Sequence, residues 1–198
     1  RRNLIGLFLF VLGVGLLAGV AGAATVTTTD AVIDCSNTDL LQTAVSSVAS
    51  SGSFTDESCL GLPALTNGTA CYSTGAQGSP NYTSDRDTDA AKALNDNSVT
   101  YTLDGGYDLT QIDIYHGWQD GGRDRGQVTV SYAVVGDEST FITIVTSQTY
   151  EPPSNYGRIR LTDLGALNVK VVKVEFPATQ ENNGVGYSEI DVFGTSSG

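Results

Sequence analysis

Basic side chains are scarce: Lys and Arg together number 10 against 22 Asp and Glu, for a formal net charge of −12. A phosphate backbone is bound by clustered cations that displace counterions, and ten basic groups cannot form such a stripe. Nucleic acid and anionic membrane surfaces are therefore excluded as partners. Histidine is scarcer still, His116 being the single one, and Trp118 is the only tryptophan. A Ser–His–Asp or Cys–His arrangement would have to use His116, and no pair among the acids is singled out as a glycosidase couple. No constellation supplies nucleophile, base and orienting group together, so the chain reads as a non-enzyme. The three cysteines, Cys35, Cys59 and Cys71, contain no C-x-x-C pair, which argues against zinc.

What is present begins with a leader. Arg1 and Arg2 precede an apolar run from Leu4 to Val20, and Ala21-Gly22-Ala23 follows with small residues in A-x-A spacing. That order is the pattern of a secretory signal peptide, with residues 1–24 removed. The rival reading is a retained membrane or assembly helix, the only route by which the chain would touch a membrane. Export implies a secreted, extracellular or cell-surface protein in which one disulfide forms. Cys59–Cys71 would close the shorter loop and Cys35–Cys59 would tie down the first segment. The sequence leaves both open. Asn67-Gly-Thr69 and Asn81-Tyr-Thr83 are glycosylation sequons in such a setting.

Hydrophobic residues make up 40% of the chain, enough for one substantial core. Val26–Ile33 is expected as a first strand. Asn37 or Thr38 is expected to cap a short helix with Leu40, Leu41, Ala44, Val45 and Val48 on one face. Residues 50–89, rich in Ser, Thr, Gly, Asn and Pro, read as long loops. Beyond Ser98 the apolar period becomes two. Val128, Val130, Tyr132 and Val134 share one face, Ile112 and Ile114 alternate with Asp113 and Tyr115, and Ile190 and Val192 close the series. Val169 and Val171 are out of phase with Val172, Val174 and Phe176, which calls for a bulge near Val171–Val172. The expected architecture is all-β, an antiparallel β-sandwich over residues 25–195 with long N-terminal loops, one short helix and a tail at 196–198.

Three segments in order resemble a known family. They are Leu65-Thr-Asn-Gly-Thr69, the stretch Tyr107–Arg123 leading into Gln127–Tyr132, and Gly186-Tyr-Ser-Glu-Ile-Asp-Val-Phe-Gly194. Together they resemble the galactose-binding-like jelly roll of discoidin, or coagulation-factor type C, domains and related carbohydrate-binding modules, as a divergent branch. The resemblance implies a structural calcium between the early loop and the last strand, with Asn67 and Glu189 as the matching ligands. Asn67 stands where the family usually has Asp-Gly-Asn, so a charge is lost. The resemblance also implies a sugar site built from end loops, and here His116, Trp118, Asp120 and Arg123 fall in one such loop. An indole offers a flat apolar face, and a guanidinium offers a fixed fork of donors to sugar hydroxyls.

A weaker motif is Asp85-Arg-Asp-Thr-Asp89, which starts like a calcium loop with Asp96 at the twelfth position. Ala90 replaces its glycine and Asp96 its glutamate. The expected function is a secreted, non-catalytic binding module recognising carbohydrate or a glycosylated surface in adhesion. The alternative is a structural subunit of an extracellular filament or cell envelope that self-associates and takes no small ligand.

Overall fold

The structure is a computed structural model describing residues 23–31, 34–54, 60–68, 91–93, 96–118, 122–177 and 180–198. Leader residues 1–22, Cys59, Cys71, Asn81, the Asp85–Asp89 motif and Asp120 lie outside the described residues.

Among the described residues nine strands run in chain order: β1 Thr25–Asp30, β2 Val45–Ser51, β3 Ala91–Ala93, β4 Asn97–Gly117, β5 Gly126–Val134, β6 Asp137–Tyr150, β7 Tyr156–Thr162, β8 Val169–Phe176 and β9 Val185–Ser196. Strand β4 organises them because its two halves belong to different layers. Its first half, through Leu103, pairs with β2 and β8. Its second half pairs with β7 and β9. One layer therefore runs β2-β4-β8-β5-β6 and the other β1-β7-β4-β9-β3, all antiparallel. The change of layer falls at Asp104–Gly106, where two successive glycines let the chain turn without side-chain clash.

The core fills the space between the layers. Val99, Tyr101 and Leu103 of β4 meet Val128, Val130 and Tyr132 of β5, and Val172, Val174 and Phe176 of β8. From the second layer come Ile112, Ile114, Ile159, Leu161, Tyr187, Ile190 and Val192. Ile112, Ile114, Val128, Val130, Tyr132, Val172, Val174, Phe176, Ile190 and Val192 are period-two positions read from the sequence, and the alternation fixes the register because a one-residue slip would turn each set to the outside.

Four local expectations change. The first strand ends at Asp30, and residues 32–33 lie outside the description. The helix α1 is only Leu40–Thr43, capped by Asp39, whose Oδ1 accepts from the Leu41 N–H at 2.8 Å. The expected cap at Asn37 or Thr38 is thus displaced. Val45 and Val48 belong to β2 instead, since β-branched Val among serines gains more from pairing with β4 than from a helix turn. The bulge in β8 sits between Val169 and Val171, where the register to β5 shifts. It brings Val169 into the core with Val172 and leaves Val171 on the opposite face, buried by neighbours.

Candidate functional site

The loop after β4 contains the residues expected to meet a sugar. The structure buries two of them. Trp118 is 2% exposed and His116 fully buried. The indole packs where Gly186 has no side chain: a Cβ there would collide with the Trp118 ring and the Gly117 carbonyl. The Trp118 N–H donates to Asn155 O at 3.1 Å, and the Arg123 guanidinium lies 5.7 Å from its ring centroid. Trp118 thus closes the end of the core, and the expected partial exposure of its face does not hold. Arg123 is half-buried at the rim.

His116 braces the same loop. Its Nδ1 is 2.8 Å from Asp124 O and 3.1 Å from Gly126 N, its ring stands edge-on to Tyr150, and its Nε2 has no hydrogen-bond partner among the described residues. Burial pushes the imidazole down to about 4, so it is neutral at ordinary pH. It is a positioning side chain in the loop and has no surface from which to take a sugar hydroxyl. The neighbouring Asp124 carboxyl is pushed up to about 6, mainly by burial, with Glu181 and Glu151 adding to it.

Glu189 and Asn67, the expected calcium ligands, come together only in part. The 34–44 segment and the 3-10 turn Leu62–Thr66 lie across the outer face of β9. Glu189 Oε2 accepts from the Gly68 N–H at 3.0 Å and Oε1 from Gln42 Nε2 at 2.9 Å. Asn67 is the half-buried residue ending the 3-10 turn. Both carboxylate oxygens therefore face N–H donors, which a cation would repel. Among the described residues no group of three His, Cys, Asp or Glu is placed to hold a metal. These residues do not fit calcium in this arrangement.

What they form is a buried acidic row that the sequence reading did not single out. Register places Arg160, Asp113 and Asp191 in one line and Arg158, Tyr115 and Glu189 in the next. Arg160 grips Asp113 with Nε at 2.8 Å and an Nη2 at 2.6 Å. Asp191 Oδ2 accepts from Ser36 N at 2.8 Å, and Asp39 Oδ1 accepts from Val192 N at 3.1 Å. Asp39 Oδ2 and Asp191 Oδ1 have no hydrogen-bond partner among the described residues. Burial, with Asp191 and Asp39 adding to it, pushes Glu189 up to about 9. Asp191 rises to about 7 by burial, with Asp39 and Asp113 adding. The polar alternation was visible in Asp113 and Glu189-Ile-Asp191. Their burial was not, because the covering segment lies some 150 residues away, as in the Ser36–Asp191 contact at a separation of 155.

Catalytic spacing is nearly absent. Gly194-Thr-Ser-Ser-Gly198 fits G-x-S-x-G, with Ser196 the last residue of β9, and the single histidine, His116, is fully buried in β4. Cys35 is disulfide-bonded, and its two candidate partners are outside the described residues.

Comparison with solved structures places this architecture. The lectin domain of lectinolysin, complexed with Lewis B antigen, has a TM-score of 0.53 at 10% identity, over 80% of this chain and 97% of that domain. A structure of the CBM32-1, CBM32-2 and M60 catalytic domains of ZmpB from Clostridium perfringens has a TM-score of 0.51 at 14% identity. That match covers 88% of this chain and 17% of that one. The fold is the galactose-binding-like β-sandwich. An F5/8 type C domain from Bacteroides fragilis also matches, with a TM-score of 0.43 and 14% identity over 54% of this chain and 74% of that one. No protein-family model and no curated protein matches the chain.

Three outcomes are expected. Gly186→Ala will displace the indole, lowering the melting temperature and red-shifting the emission of the single tryptophan. The raised pKa values of Glu189 and Asp191 mean that the folded state holds protons the unfolded chain releases. Their stabilisation is complete below the ordinary carboxylate range and is lost as pH rises through about 7 and about 9. His116 acts in the opposite sense only below its ordinary value of 6.5. Urea unfolding between pH 6.5 and 9 will therefore show stability falling with pH; a rise would contradict the buried acidic row. Calcium in excess, compared with chelator, will leave the melting temperature of the described fold unchanged.

Proposed function

We propose that this chain is a non-catalytic carbohydrate-binding module acting outside the cell, on glycans or glycosylated surfaces. The observation that carries the reading is the match of its sandwich to nearly the whole of a lectin domain. The loop end would supply the contacts. Arg123, stacked on the buried Trp118, is held at the rim with its planar fork pre-set, which lowers the entropy cost of meeting sugar hydroxyls. Trp118 then supports the donor rather than the sugar. Secretion accords with the leader, the net charge of −12 and the cysteines.

One observation favours a second reading, a structural subunit assembled through strand edges. Strand β6 pairs only with β5 among the described strands, and Phe141 and Ile142 on it are exposed. Three register shifts bend β6 along its length, however, and bulges of that kind block straight edge-to-edge pairing. The binding module therefore stands first.

The test is a glycan-array screen followed by calorimetry. The wild-type chain will bind glycans, and Arg123→Ala will weaken binding at least tenfold while leaving the melting temperature within a few degrees. A chain that retains no glycan on the array and sediments as a concentration-dependent oligomer would replace this reading with the structural one.

A further inference from the structure

The first layer has two edge strands, and they differ in how they are guarded. Strand β6 carries Asp137 and Glu138 and is bent by three register shifts. Strand β2, at the other edge, lacks both devices over most of its length. Its ladder to β4 runs without a shift from Ser47, opposite Thr102, to Ser51, opposite Ser98. Every residue of β2 after Val45 is exposed, on both faces of the sheet, and Val48 is 50% exposed. Among the described residues β4 is its only strand neighbour. Backbone N–H and C=O groups alternate in direction along a strand, so one set on β2 faces water along the free edge.

The chemistry of that edge selects its partner. From Leu40 through Phe54 no residue is charged and none is proline, in a chain of net charge −12. Two copies repel each other over most of their surface and approach closely only where neither carries charge. The edges of the second layer fit this less well. Strand β1 ends in Asp30, and β3 is three residues long with Lys92 at its centre. The β2 sequence is also nearly symmetric about Val48. In an antiparallel pair centred there, Val48 meets its own copy, Ser47 meets Ala49 and Ser46 meets Ser50. Small side chains face small ones along the ladder, and the two valines cover each other.

We propose that β2 is a self-association edge: two copies pair their β2 strands antiparallel about a two-fold axis at Val48, joining their first layers into one continuous sheet. This surface is separate from the loop end and does not depend on glycan binding. A seven-residue edge buries less than a standard interface, so the dimer is weak and forms at high local concentration. Exposed Asp104, whose N–H donates to Ala44 O at 2.7 Å, flanks one end of the edge, and exposed Asp96 stands just before β4 at the other. Pairing brings Asp104 of one copy toward Asp96 of the second, and added salt screens that repulsion and tightens the dimer.

The test is sedimentation velocity of the whole chain from micromolar to millimolar concentration, with hydrogen exchange measured at both ends of the range. Val48→Lys sets two like charges against each other on the axis, and Ala49→Lys does so on the opposite face of the strand. Both positions are exposed, and circular dichroism reports the fold of each variant. The wild-type chain will dimerise reversibly and more tightly in salt, with amide protection of residues 46–51 rising with concentration. Each lysine variant that folds will raise the dissociation constant at least tenfold. A wild-type chain that stays monomeric throughout would overturn the proposal. Association of undiminished strength in the lysine variants would do so too, as would concentration-dependent protection that appears in β6 and not in β2.

Discussion

One strand belongs to both layers, and the rest of the sandwich is arranged around that constraint. Strand β4 runs 21 residues, far beyond the usual strand, and its hydrogen-bond ladders are divided between two sheets. Its first half directs Val99, Tyr101 and Leu103 into the core from one side, and its second half directs Ile112 and Ile114 in from the other. Once the Asp104–Gly106 crossover sets the relation between halves, β8 and β5 must follow one half, and β7 and β9 the other. The alternating apolar positions then meet across a dry interior.

The faces turned away from that interior differ in chemistry. The outer face of the second layer is covered by the 34–44 segment and the 3-10 turn, and beneath them lie Glu189, Asp191, Asp39 and Asp113. Among the described residues, only Asp113 of these four has cationic partners, Arg160 and Arg158. Burying carboxylates without matching charge costs free energy unless they are protonated or well hydrogen-bonded. Backbone N–H groups from Ser36 and Gly68 and the Gln42 amide meet that need in part. The N-terminal strap is thus fastened to the last strand by hydrogen bonds to acids, where a calcium staple would have required those donors to be carbonyls.

The outer face of the first layer is less covered, with Ser131, Ala133 and Val171 buried and Ser98, Lys173 and Glu175 half-buried. It presents hydroxyls in register with a single ion pair, a surface suited to many weak polar contacts. At the loop end, by contrast, the indole that would have stacked on a sugar is turned inward and holds an arginine at the rim.

The sequence by itself determined the fold class and part of the core, because apolar residues at every second position can be buried only on one face of a strand. Val128, Val130 and Tyr132, Ile112 and Ile114, and Ile190 and Val192 were all legible in this way, and the closing Gly186–Gly194 segment pointed to the fold family. Local amphipathicity misled at Val45 and Val48, where three-to-four spacing suggested a helix and pairing with β4 prevailed. Whether a polar residue is wet or buried was decided only by tertiary structure. Trp118 and His116 looked like loop residues open to ligand until Gly186 and Gly126 allowed the strands to close on them. Asp191 and Glu189 looked like a solvent face until a segment from the other end of the chain covered them. The physical reason is common to both cases: periodicity encodes which way a side chain points, whereas burial depends on what distant part of the chain arrives there.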